Sequence, residues 1–316
     1  MAEIPRRHGS RRPLRLAAAL LTAAWTAAGP AFAGDPGRAA GPTPASRAAA
    51  PAAPDGAGPA VTDDLGREVR LAAPARRAIA LAPHAAELVY AAGAGAYLAG
   101  TVRGTDYPPA ARGLPSLGDG TRPSLEMATA LRPDLAVAWQ PALAAPLERM
   151  LAAHGVPVYY SDPRTLADIP AAIEDLGVLF GTAAAARRAA DDLRRRLGEL
   201  GERYRNRPLV RVFIQAGASP LYTINGRNAL SDAVALCGGV NIFAGLSVPA
   251  PQVGLEAVLA AAPQAVVSGG PPAPELLAAG LRPIVIDPDL LYRAGPRLAD
   301  AARQLCEGLE AVRGPR

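Results

Sequence analysis

A stretch of this chain occurs twice. Ser124-Leu125-Glu126, followed by Pro133-Asp134-Leu135-Ala136-Val137, returns as Gly254-Leu255-Glu256 followed by Pro263-Gln264-Ala265-Val266-Val267, at a constant offset of 130 residues. In each copy a leucine and a glutamate open a helical stretch, a proline ends it, and an apolar run reads as a buried strand. Two copies mean a duplication and not a solenoid. The chain is therefore expected to be α/β, with two similar lobes of central parallel sheet flanked by helices.

The rest of the pattern fits. Strands are expected at 78–81, 135–139 and 156–160, with helices at 85–92 and 125–131 between them; His154-Gly155 reads as a helix end. A second series has strands at 209–215 and 264–268, with a helix at 230–236 stopped by Cys237-Gly238-Gly239. Between the halves, 166–205 has few breakers and a heavily charged end, and reads as one long helix supported by pairs such as Asp191 with Arg195. The expected organisation is an N-terminal lobe at 61–163, a connecting helix at 164–208 and a C-terminal lobe at 209–316.

The N-terminal residues read as an address. Arg6, Arg7, Arg11, Arg12 and Arg15 precede an apolar run at 16–28, closed by Gly29-Pro30 and followed by Ala31-Phe32-Ala33. This is the pattern of an export signal (1–33) cleaved after Ala33. The run falls short of the roughly 20 residues a spanning helix needs. The Arg11-Arg12 pair leaves the export route, general secretory or twin-arginine, open. No cysteine follows the cleavage site to carry a lipid, so the expected product is a soluble periplasmic monomer. Residues 34–60, mostly Ala, Pro and Gly, are expected as a disordered linker.

Loss of 1–33 removes five arginines and Glu3, so the formal net charge falls from +5 to +1 and the case for a nucleic-acid partner falls with it. Every one of the 33 basic residues is arginine, which excludes a Walker-type phosphate loop and lysine catalysis. Cys237 and Cys306 are the only cysteines, and in an oxidising compartment they are expected to form a disulfide.

The motifs RRAIALAPHAAELVYAAGAG, TDYPPAARGLP, LRPDLAVAW, VRVFIQAGASPLYT, CGGVNIF, VPAPQVGLEAVLAAAPQAVV and YRAGPRLADAARQLC, in this order, resemble the periplasmic cobalamin (vitamin B12)-binding proteins of ABC importers, within the helical-backbone (class III) receptors for metals and corrinoids. The resemblance runs from Val61 to Leu309. It implies a corrinoid ligand held between lobes, no catalysis, no permanently bound cofactor, and delivery to an inner-membrane permease and its ATPase. By the same resemblance Glu126 and Glu256 would dock on permease arginines, Trp139 and Tyr222 would be aromatic ligand contacts, and Asp289 and Arg293 would hydrogen-bond the ligand's periphery. Gly104, Gly120 and Ala250 stand where well-known members carry large aromatics, so part of that clamp is missing here.

His84 follows a strand and precedes a helix, where loops line clefts in open α/β sheets, and is a candidate cleft or metal ligand. Tyr107, in Asp106-Tyr107-Pro108-Pro109, is a candidate for the cleft entrance. One rival is a receptor for haem, ligated by His84 or Tyr107, or for a ferric siderophore, met by Arg103, Arg122 and Arg293. A secreted hydrolase is the other, but the sequence has no His-Glu-x-x-His, no Gly-x-Ser-x-Gly and no Cys-x-x-Cys.

Overall fold

The computed structural model describes residues 58–314; the expected export signal, all but 58–60 of the expected linker, and the last two residues lie outside them. The linker reading ends too late. Pro59 already accepts a backbone hydrogen bond from Leu71, and Ala60 opens the first strand.

β1 (Ala60–Thr62) and β2 (Glu68–Arg70) form an antiparallel hairpin ahead of the first half. That half holds β3 (Ala78–Ala80), α1 (Pro83–Ala91), β4 (Leu98–Thr101), the small hairpin of β5 (Gly118–Asp119) and β6 (Arg122–Pro123), α2 (Leu125–Ala130), β7 (Leu135–Ala138), α3 (Pro141–Ala153) and β8 (Val158–Tyr160). α4 (Asp168–Phe180) and α5 (Ala183–Tyr204) follow. The second half holds β9 (Val210–Gln215), the hairpin of β10 (Gly217–Ala218) and β11 (Leu221–Tyr222), α6 (Ala229–Leu236), β12 (Gly239–Asn241), α7 (Leu255–Ala260), β13 (Ala265–Ser268), α8 (Pro274–Ala278), β14 (Arg282–Val285), α9 (Pro288–Leu291) and α10 (Leu298–Arg313).

Each half builds a four-stranded parallel sheet, in the order β4-β3-β7-β8 and β12-β9-β13-β14. Numbered within its own half, each sheet runs second, first, third, fourth. The duplication reaches further than the side chains announce. Arg132 and Ala262 both adopt positive φ, 45° and 46°, where each short helix turns into its strand, a conformation that costs a non-glycine residue roughly 1–3 kcal/mol. Two residues on, Asp134 takes the backbone N–H groups of Arg76 and Arg77, and Gln264 takes that of Arg211. Arg77 and Arg211 each cap the last carbonyls of α2 and α7, at Leu131 and Ala261. His154 and Gly155 do end α3, with His154 Nδ1 2.9 Å from the Met150 carbonyl and Gly155 in the left-handed region.

The connector departs from the expected single long helix. It breaks after Phe180, where Gly181 takes φ 70° and Thr182 N–H returns to the Gly177 carbonyl, a left-handed helix stop. α4 and α5 then pack against one another, clamped by Arg194, whose guanidinium grips Glu174 of α4. That grip also redirects the surface pairs: Asp191 pairs with Arg194, and Arg195 with Asp192 and Glu199. The strut proper is the 22-residue α5, about 33 Å long at 1.5 Å per residue.

Side-chain alternation along the strands sorts the core into layers. Outward residues such as Ala136, Leu147 and Tyr160 in the first half, and Phe213, Val258 and Val266 in the second, form separate clusters. Inward residues of both sheets, Val137, Val212 and Val267 among them, join one continuous core through Ile173, Leu176 and Phe180 of α4, Leu193 and Leu197 of α5, and Leu305 of α10. The halves thus share an apolar spine instead of having wholly separate cores.

Cys237 and Cys306 are bonded, tying the end of α6 to α10 with both residues fully buried. Closing a loop of 69 residues stabilises by about 4 kcal/mol in chain-entropy reasoning. The Cys237→Ala/Cys306→Ala variant is expected to melt on the order of 10 °C below the oxidised protein by scanning calorimetry; coincident melting curves would refute this.

Candidate ligand-binding cleft

Four aromatic side chains stay exposed among the described residues: Tyr107 (43%), Trp139 (41%), Tyr222 (39%) and Tyr292 (42%). All four lie in segments that follow the C-terminal ends of sheet strands, β4, β7, β9 and β14, two in each half. At that edge of an open parallel sheet, outside the carboxyl ends of the strands, a crevice forms where the strand order reverses, and ligands bind there.

Three of the four rings are held by their polar end or flank. Trp139 directly follows β7; its indole N–H donates to Asp162 at 2.9 Å, and His84 meets its ring edge-on with centroids 5.7 Å apart. Asp162 is itself fixed through its backbone N–H to Asp64. Tyr292 donates its hydroxyl to the Gln215 carbonyl at 2.7 Å and accepts from Gly269 N–H at 2.8 Å, so it spans the ends of β9 and β13. The Arg297 guanidinium lies 4.2 Å over the Tyr107 ring. Tyr222 ends the β10–β11 hairpin, where its backbone bridges to Gln252, while Tyr107, through Arg297, adjoins an ion-pair cluster around Glu87.

That cluster crosses between the halves. Glu87, one turn into α1, is buried and receives Arg293 and Arg297 from the segment between α9 and α10. Arg293 also reaches Asp106, Asp289 and the Gly104 carbonyl. Arg293 holds the Asp106 carboxyl below its usual range, while burial, set against Arg293 and next to Asp106, pushes Asp289 up. Of the six cleft residues expected from sequence, His84 and Trp139 are in contact, and Tyr107, Asp289 and Arg293 gather around Glu87 close by. A Cβ on Gly295 of the second half would come within 3.6 Å of His84 Cβ, so His84 sits on the seam.

His84 is buried, with Nε2 3.2 Å from the Ser161 carbonyl, and burial lowers its pKa despite that carbonyl and Glu87, keeping the ring neutral. Among the described residues there is no group of three or more His, Cys, Asp or Glu placed to hold a metal ion. The Nε2 of His84 meets the Ser161 carbonyl and its ring packs edge-on against Trp139.

The three glycine or alanine departures lie near exposed rings or the groups that hold them. Gly120 lines a shallow hollow with Leu81, Pro123, Trp139, Gln140, Leu143 and Ala144. Gly104 has φ 85°, a conformation that disfavours a side chain, and its carbonyl is spent on Arg293. Ala250 lies in an exposed loop whose neighbours Pro249 and Pro251 take the N–H groups of Asn225 and Thr223, next to Tyr222. The sequence reading passed over Glu87, Asp106, Asp162, Tyr292 and Arg297. Tyr292, an aromatic directly before Arg293, was the most readable of them.

Glu126 and Glu256 stand exposed in the first turns of α2 and α7, at equivalent repeat positions. Both glutamates stand at the N-terminal ends of short helices that lead into the next sheet strand, β7 and β13. Leu125 and Met127 beside Glu126 are exposed apolar neighbours. No described helix is long and apolar enough to cross a membrane.

Comparison with known proteins agrees with this architecture. The periplasmic binding protein family matches residues 79–276. A vitamin B12-binding protein of Pectobacterium carotovorum subsp. carotovorum (strain PC1) is 40% identical over 251 residues, 75% of this chain and 89% of that protein. The crystal structure of the periplasmic vitamin B12 binding protein BtuF of Vibrio cholerae superposes with a TM-score of 0.68 at 33% identity, covering 77% of this chain and 99% of that one. The periplasmic heme-binding protein RhuT from Roseiflexus sp. RS-1 shares the fold, with a TM-score of 0.65 at 22% identity over 75% of this chain and 98% of that one. Matched over most of its described length, the chain belongs to the periplasmic binding protein family.

Proposed function

We propose that this chain is an exported receptor, cleaved after Ala33, that captures cobalamin or a related corrinoid between its halves and delivers it unchanged to an inner-membrane ABC permease and its ATPase. The observation that carries the reading is the set of four exposed aromatic rings at strand ends, two from each half. A corrin presents a broad, largely flat ring with an amide periphery. Rigid rings that offer apolar faces, with polar groups placed at the edge, suit it. Trp139, Tyr107 and Tyr222, with Tyr292 added, take the face contacts; Asp289 and Arg293 take the periphery; His84 forms the wall behind Trp139. The relatives named for vitamin B12 support the same assignment.

Charge at the site argues against a ferric siderophore. Arg293 is already engaged by carboxylates, and Glu87, Asp106 and Asp289 outnumber Arg293 and Arg297. Haem keeps one observation in its favour, the exposed phenol of Tyr107 beneath Arg297. Calorimetric titration of the mature protein with cyanocobalamin, cobinamide and haem separates the readings. Binding tighter than about 1 μM, roughly 8 kcal/mol, is expected for at least one corrinoid. A haem Soret shift lost on Tyr107→Phe or His84→Ala, with no heat from either corrinoid, would overturn the assignment.

A further inference from the structure

Arg293 Nη1 donates to Glu87 at 3.2 Å and Asp106 at 2.7 Å, and its Nη2 to the Gly104 carbonyl at 3.1 Å and Asp289 at 2.6 Å. Those are four acceptors for the four terminal hydrogens of one guanidinium, which leaves only Nε uncommitted. Arg297 closes a bidentate pair on Glu87, at 3.0 and 2.6 Å. The Glu87 side chain is 1% exposed, against 14% for Arg293 and 17% for Arg297, so salt screens this centre far less than it would a surface pair. Asp106, by contrast, is open to solvent along about half its side chain.

We infer that Glu87 is a positioning residue that latches the two halves together: a buried carboxylate of the first half holds two arginines of the second and so sets the separation of the halves that carry the exposed rings. A guest that accepts a hydrogen bond from a terminal nitrogen of Arg293 must first displace an existing partner. Asp106 and Asp289, with side chains 47% and 42% exposed, and the carbonyl of exposed Gly104 are the ones a guest can reach. Binding then exchanges bonds at the rim while the buried Glu87 pair stays closed. This exchange rests on the corrinoid reading; the latch does not.

The test places nitroxide labels at Ala110→Cys and Ala278→Cys, exposed positions in opposite halves, in the mature protein with its disulfide intact. Inter-label distances are measured by pulsed dipolar spectroscopy without ligand, and cyanocobalamin is titrated separately. Glu87→Gln, which keeps the shape and removes the charge, is expected to broaden the ligand-free distance distribution and to raise the cyanocobalamin Kd about tenfold or more. A distribution superimposable on wild type overturns the latch, whatever the affinity. Should Glu87→Gln fail to fold, Arg297→Gln leaves Glu87 its Arg293 partner and is expected to broaden the distribution to a smaller degree; an unchanged distribution there overturns it equally. Broadened distances in a protein that never bound cyanocobalamin would keep the latch and sink the corrinoid reading alone.

Discussion

Trp139→Ala is expected to weaken corrinoid binding by about 100-fold, within the roughly 2–4 kcal/mol that truncating a central aromatic anchor costs. The size follows from how the ring is held. Its indole nitrogen is fixed by Asp162 and its edge rests against buried His84, so the face it offers is ordered before the guest arrives and little entropy is lost when the guest stacks. Trp139→Phe keeps a ring but loses the bond to Asp162, and is expected to fall between wild type and alanine. Calorimetric titration measures both variants, which lack the indole; in the wild-type protein the ring is also its own reporter. The chain's other tryptophan, Trp25, lies in the expected export signal, so in the mature protein a corrinoid stacked on Trp139 quenches the sole tryptophan emission. Affinity within twofold of wild type for Trp139→Ala would remove the main face contact from the proposal.

Much of this arrangement was readable from the residues because duplication writes itself twice. The 130-residue offset forecast two sheets, and the sheets share one strand order. The positive φ at Arg132 and Ala262 was not readable, since neither residue type signals it; the strain is sustained by the capping arginines and by Asp134 and Gln264, which only the fold brings together. The break in the connector was hidden for a related reason. Gly177, Gly198 and Gly201 lie inside helices while Gly181 ends one. What distinguishes Gly181 is that reversing there lets both helices bury apolar faces, a tertiary gain no local signal contains.

The site divided along the same line. Trp139 and Arg293 stood out by type and by the motifs around them. Glu87 did not, because a single acid in Pro83–Ala91 looks like the solvent side of an amphipathic helix. Its burial makes sense only once two arginines arrive from more than 200 positions away in sequence. A buried carboxylate needs such partners, and a pairing at that range is invisible to helical spacing.

Reversing both repeat-related carboxylates, Glu126→Arg with Glu256→Arg, is expected to lower delivery to the reconstituted importer at least 100-fold while leaving cyanocobalamin affinity at the wild-type level. Both side chains are exposed and stand in the first turns of equivalent helices, α2 and α7, one in each half. A docking partner with a cation opposite each would gain orientation more than affinity, since exposed pairs contribute only about 0–1 kcal/mol. Reversal is different, because like charges forced together across an interface cost several kcal/mol. Single reversals should therefore have similar, intermediate effects, as befits two copies of one feature. Wild-type delivery should also weaken as salt rises, whereas cyanocobalamin binding, seated among buried and ring contacts, should respond little. Uptake by proteoliposomes carrying the permease and ATPase, fed with preloaded receptor, reads the first effect, and tryptophan quenching reads the second. A doubly reversed receptor that delivers at the wild-type rate would show that the paired glutamates are helix-start residues favoured by the local dipole and nothing more.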